Sequence, residues 1–302
     1  MENLRVRVYG VRFGDAILIS VPDRTSRGRP ITRHILIDVG NVRAGEGGQD
    51  AVFRPILENV RQVTGGKPLD LYILTHEHLD HAQGLLYGAE KLGIELRANY
   101  AWLTASAAED YYERYPEAKK QRDLYFAIQG LLQASPELRT PWIDALLLNN
   151  NPTEIDPCVA HLRQIAPPRR TSYVYRGCNV RGRHPFREAR FEIWAPEEDT
   201  SEYCGRFKPL GFVRATATGE ELSGSPPQPV PPPGVDTGAF YNLVEIRQSS
   251  YVDNLLAIDY AANNSSIVFC LEWHGWRLLF PGDAEQRSWK TMDKYGQLKP
   301  VH

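Results

Sequence analysis

The sequence predicts an α/β fold, and three of its features carry that prediction. Short runs with strand character, separated by Gly, Asp and Pro, fill the first 40 residues. A helical apolar stripe from Gln49 to Val63 leads into an unbroken apolar run, LDLYILTH (69–76), so strand, helix and strand succeed one another as in a crossover unit. Near the end, NNSSIVFCLEW (263–273) and GWRLLFPGDAE (275–285), joined at His274-Gly275, read as a hairpin.

Taken in order, LRVRVYG (4–10) alternates apolar and basic residues, while AILISV (16–21) and HILIDVG (34–40) are mostly apolar; each is predicted as a strand of one sheet. In the first helix Val52, Ile56, Leu57 and Val60 recur at spacings of three and four, and Gly65-Gly66 stops it. After Gly84 the pattern turns helical through LLYGAEKLGI, with a short strand in LRANYAWL (96–103). Residues 105–165, rich in Ala, Glu, Gln, Leu and Tyr, predict a helical insertion broken near Pro116, its aromatic residues serving as packing surface. Residues 166–188 are the local basic cluster, read as a solvated loop, with an anion site as the sharper alternative. FEIWAP (191–196) is a predicted strand, and SGSPPQPVPPPG (223–234) a polyproline-like loop.

At 302 residues, 42% hydrophobic and 24% charged, the chain has the composition of a globular protein with a sizeable core. A net charge of -2 provides no bulk basic field, which argues against a dedicated nucleic-acid binder but leaves room for a local patch. Cys158, Cys178, Cys204 and Cys270 form no CxxC pair and are read as free thiols of an intracellular protein. The N-terminus has no signal pattern, and no apolar run approaches the ~20 residues of a membrane span. A cytoplasmic protein with no membrane contact is expected.

The stretch LTHEHLDHAQGLL (74–86) places three of the chain's 8 histidines beside two acids within six positions, just beyond a strand. In α/β sheets that is where ligands bind. His76 and His78 would point the same way from an extended segment, and Asp80 and His81 follow where the chain bends. Imidazoles and carboxylates are the usual ligands of Zn²⁺, Mn²⁺ and Fe. Crowded imidazoles repel when protonated and are costly to desolvate, a conflict that a bound divalent ion removes.

The His76-x-His78-x-Asp80-His81 spacing, with Asp283 in FPGDAE, resembles the signature of the metallo-β-lactamase superfamily. GVRFGDAILI (10–19), HILIDVG, NNSSIVF and LLFPGDAE are similar, more narrowly, to the branch that includes the hydrolase domain of ComEC DNA-uptake proteins. The similarity spans residues 1–104 and about 240–302, with no counterpart for the middle. It implies an αββα sandwich over residues 1–302, carrying the helical insertion, with one or two ions of Zn²⁺ or Mn²⁺ at one edge. His76 and His78 would hold the first ion, Asp80 and His81 the second, and Asp283 would bridge; Asp80 and Asp283 would orient a metal-activated hydroxide. The superfamily usually adds a third histidine, but only His161 and His184 lie between the two motifs. The Asn/Ser stretch takes that place, making Asn263, Asn264 and Ser265 candidate site-lining residues. Thr75, Asp38 and Asp15 would stand behind the ligands, or Asp15 and Asp38 would only cap turns. A further histidine motif is expected after GDAE; His302 is the candidate for it, and the domain is expected to lack its C-terminal part.

The resemblance implies a metal-dependent phosphodiesterase or nuclease, with Arg169, Arg170 and Arg176 as candidate anion-binding residues. The alternatives are a small-molecule ester, lactone or thioester hydrolase, and a degenerate metal-binding module whose helical insertion contacts a protein partner in a larger assembly.

Overall fold

The computed structural model describes residues 3–43, 45–204, 230–238, 240 and 250–302. Of the proline-rich stretch, residues 223–229 lie outside the described residues. Strands β1 (Arg5–Val8), β2 (Ile17–Arg24), β3 (Pro30–Ile37), β4 (Leu71–Leu74), β5 (Ala101–Thr104) and β6 (Thr171–Val174) form one sheet in that order. Its first three strands are antiparallel and the last four parallel. A second, antiparallel sheet holds β7 (Ala189–Ala195), β8 (Val268–Trp273) and β9 (Trp276–Phe280).

Period-two alternation builds the layers. Ile19, Ile35, Leu71, Ile73 and Trp102 point from the first sheet towards Ile193, Phe269, Leu271 and Phe280 of the second, forming the core between them. Their neighbours Leu18, Leu36, Tyr72, Leu74 and Leu103 face the other way, onto α1 (Asp50–Val63), α2 (Leu79–Tyr87) and α6 (Pro152–Arg163). The back of the second sheet, through Trp194, Val268 and Cys270, meets Met292 and Trp289 of α8 (Gln286–Lys294). The order is helices, sheet, sheet, helix. β4 is buried on both faces, which is why its sequence is an unbroken apolar run.

Between the parallel neighbours β5 and β6 run α3 (Tyr111–Arg114), α4 (Pro116–Ala134), α5 (Pro141–Asn149) and α6. α4 and α5 share their own core with α7 (Ser250–Asn264), through Tyr125, Ile128, Leu132, Ile143, Leu147, Val252, Leu255 and Ile258. Two sequence expectations are corrected. The second helix begins at Leu79, not after Gly84, so Asp80 and His81 occupy a helical first turn rather than a loop. The basic segment is not a loop throughout: Thr171–Val174 pairs with β5, because its own apolar and β-branched residues complete the parallel sheet.

Candidate metal centre

β4 delivers the histidines. At its C-terminal end, Thr75 donates from its amide to Asp38 Oδ1 (2.8 Å) and from its hydroxyl to Asp38 Oδ2 (2.6 Å), which pins the strand end against the loop after β3. His76 and His78 then alternate with Glu77, and His78, still extended, becomes the N-cap residue of α2. The first turn of that helix aims Asp80 and His81 at the same region. Asp283 arrives from the loop after β9, its amide donating to Ser266 Oγ (3.1 Å).

The groups converge. His76 Nε2 and His78 Nδ1 stand 3.0 Å apart, close to the separation of about 3.3 Å expected for two nitrogens on one tetrahedral zinc. His81 Nε2 lies 3.4 Å from Asp283 Oδ2 and 3.7 Å from Asp80 Oδ1. One ligand atom each of His76, His81 and Asp283 falls within 4.8 Å of the others. The histidines and Asp80 are buried, while the Asp283 side chain is 40% exposed, so the site opens over Asp283.

Titration reflects this crowding. Burial, together with repulsion from His81 and His78, pushes the His76 pKa well below the usual imidazole range. Burial acts downward on His81 too, but hydrogen bonds to Asp283 and Asp38 outweigh it and raise its pKa strongly. Desolvation raises Asp80. It acts the same way on Asp283, but the bond with His81 and the charges of all three histidines hold that carboxyl well below its usual range. The charges weighing most on the cluster are its own histidines and carboxylates.

The residues fit a metal. Asp80 Oδ1 is buried with no hydrogen-bond partner, a costly state for a carboxylate unless a cation fills it. The ligands are also held from behind, as metal-bound histidines are. His81 Nδ1 meets Asp38 Oδ2 at 3.0 Å, leaving Nε2 for the centre. Asn150 donates through Nδ2 to Asp259 (2.7 Å), so its Oδ1, 2.9 Å from His78 Nε2, accepts from that ring and turns the Nδ1 lone pair towards His76. Ser266 Oγ and Thr75 Oγ1 flank His76 Nδ1 at 3.2 and 3.0 Å. Asp80 N donates to Asn149 Oδ1 (3.1 Å). Asp15 N donates to the Asp80 carbonyl (3.1 Å), and the Asp15 carboxyl is raised by burial.

Of the sequence candidates, His76, His78, Asp80, His81, Asp283, Thr75, Asp38 and Asn263 gather here. Asn264 does not: it turns to α8, its Oδ1 accepting from Ser288 N (2.9 Å). Ser265 also turns away, bonding the Ala262 carbonyl (2.6 Å). Arg169 and Arg170 precede β6, and because β6 runs parallel to β4 they lie at the opposite end of the sheet from the histidines. Arg176 follows β6 but is committed to Glu197 (2.9 Å) and the Tyr295 ring. His161 sits in α6, near Arg97 and Glu95, and His184 between Trp102 and Phe191. His302 packs on Trp276 and donates from its amide to the Arg277 carbonyl (2.8 Å), at the start of β9, whereas Asp283 follows its end. Sequence reasoning missed Ser266, Asn149, Asn150, Asp259 and Glu285. The runs Asn149-Asn150-Asn151 and Asn263-Asn264-Ser265-Ser266 at helix ends were the available signal, but polar residues there serve equally well as caps.

Residues 32–159 match the family model described as the metallo-beta-lactamase superfamily, and the layered α/β architecture is consistent with that fold. The match runs through 105–159, the helical stretch for which the sequence resemblance offered no counterpart. No curated protein matches the chain. Among the described residues, no helix is long and apolar enough to cross a membrane.

Proposed function

We propose that this protein is a metal-dependent hydrolase of the phosphodiesterase type, working at the centre formed by His76, His78, Asp80, His81 and Asp283. The observation that carries the hydrolase reading is the convergence of His76, His81 and Asp283, with a buried Asp80 oxygen that has no hydrogen-bond partner 3.7 Å from His81 Nε2. His76 and His78 would hold one ion, Asp80 and His81 a second, with Asp283 between them. Such ions acidify water and offset charge developing on substrate oxygens. Asp283, the most open carboxylate of the set, would orient the attacking water together with Asp80. Asp38 holds the His81 imidazole in register. The phosphodiester substrate and the ComEC-like kinship rest on the resemblance of the strand and GDAE motifs. Arg169, Arg170 and Arg176 are not part of the reading.

A small-molecule ester substrate is the second reading. A cleft of about 610 Å³, its open mouth included, abuts His78 and is lined by Glu77, Ser106, Tyr112, Gln121 and Arg122.

The test measures metal content by mass spectrometry for the wild type and for His76→Ala/His78→Ala. Hydrolysis of a generic phosphodiester and a generic carboxylic ester, with Zn²⁺ or Mn²⁺ supplied, follows. Near-stoichiometric metal and phosphodiester turnover, both lost in the variant, are expected. Ester turnover alone moves the substrate to the second reading, and absence of metal overturns the hydrolase.

A further inference from the structure

The first ion has too few ligands if it is held only by the histidine segment and Asp283. Among the described residues the imidazole that approaches His76 besides His78 is His81, which is assigned to the second ion, while His161 and His184 lie elsewhere. The structure does bring one other side chain to His76. Asn263, in the last turn of α7, donates through Nδ2 to Glu285 Oε1 at 2.8 Å. A carboxylate oxygen can only accept, so this bond fixes which way round the amide stands. The opposite atom, Oδ1, is buried and has no hydrogen-bond partner. The Asn263 side chain lies beside the His76 ring. The oxygen, not the nitrogen, is therefore turned to His76.

Building on the hydrolase reading, we propose that Asn263 Oδ1 is a protein ligand of the first metal, with Glu285 as the positioning residue that aims it. The arrangement explains why Oδ1 is buried without a hydrogen-bond partner, a state that is otherwise costly. It also gives Glu285 of the GDAE stretch a role: its nearest charged neighbours are Asp259, Asp283 and His78, on the rim of the same centre. The donor set at the first ion becomes His76 Nε2, His78 Nδ1, Asn263 Oδ1 and the Asp283 carboxylate. Two nitrogens and two oxygens make a harder site than three imidazoles and a water, and one that discriminates less against Mn²⁺ in favour of Zn²⁺.

The experiment uses the full chain and the metals alone. Affinities for Zn²⁺ and Mn²⁺ are measured by chelator competition, and the visible spectrum of the Co²⁺-loaded protein is recorded, for the wild type, Asn263→Ala, Asn263→His, Glu285→Ala and a His76→Ala control. Asn263→Ala is expected to lose about tenfold or more in affinity and to change the Co²⁺ spectrum. Glu285→Ala should lose less, and Asn263→His should shift the Zn²⁺/Mn²⁺ ratio towards Zn²⁺. If Asn263→Ala binds like the wild type with an unchanged spectrum while His76→Ala loses the ion, the assignment is overturned and the metal centre stands. If the wild type itself binds no metal, the hydrolase reading falls and the assignment with it. Should Asn263→Ala not fold by circular dichroism, Glu285→Ala decides: affinity and spectrum both unchanged overturn the proposal.

Discussion

Gly40 should be the least replaceable small residue of the domain, although it touches no ligand side chain. It lies in the loop after β3, and its α-carbon presses against the Asp80–His81 turn. A β-carbon there would stand 2.0 Å from the Asp80 carbonyl carbon, 2.2 Å from its oxygen and 2.3 Å from His81 N. Ordinary contact begins near 3.4 Å, and the opposing atoms are backbone, so no rotamer relieves the clash. The two segments are also tied together: Gly40 N donates to the Asp15 carbonyl (3.0 Å) and Val39 N to the His81 carbonyl (3.0 Å). Gly40→Ala must force them apart by roughly 1 Å or more, at a cost of about 2–4 kcal/mol. A shift of that size exceeds the tolerance of about 0.5 Å within which a site works, so Asp80 and His81 would lose the second ion. Urea denaturation and metal content measure both effects, with Gly130→Ala as control, since nothing lies within 4 Å of a β-carbon there. Wild-type stability and metal content in Gly40→Ala would refute the reasoning.

Two further outcomes follow from the geometry. Asp38→Asn puts an amide where a carboxylate accepts from Thr75 N, Thr75 Oγ1 and His81 Nδ1; metal affinity should fall about 10–100-fold by chelator competition, with folding retained. His184, packed among Trp102, Phe186 and Phe191, has its pKa pushed down by burial to about 4. A depressed histidine pKa means that the unfolded chain takes up the proton first, so its contribution is intact above pH 6.5 and lost as the pH falls towards 4. The loss approaches about 3 kcal/mol at full burial and is nearer 2 for this partly exposed ring. His184→Gln should flatten the decline between pH 6.5 and 4 in urea midpoints, and an unchanged slope would refute this.

Local pattern carried much of the architecture. The early strands, α1, β4 and the β8–β9 hairpin are legible because each has an apolar period matched to its own element. The start of α2 was missed because its first turn is polar, Asp80 and His81 being turned to the centre instead of to the helix-packed core. β6 was hidden as four residues, Thr171–Val174, inside the basic stretch 166–188, and they become a strand only because β5 offers a free edge.

The sequence by itself determined the ligand cluster. His76, His78, Asp80 and His81 lie within six positions, and chain connectivity alone holds them close together. Asp283 could be placed beside them only through resemblance. What the tertiary structure decided is everything contributed from far along the chain: Asp38 behind His81, Asn150 and Asp259 behind His78, Ser266 and Asn263 at His76. It also decided which of several similar residues takes part. Asn263 reaches Glu285 while Asn264 next to it reaches Ser288 inside α8, because successive helical residues diverge by about 100°. It removed Arg169, Arg170 and His302 for the same kind of reason: strand direction fixes the end of a sheet at which a residue emerges, and no local pattern records that direction.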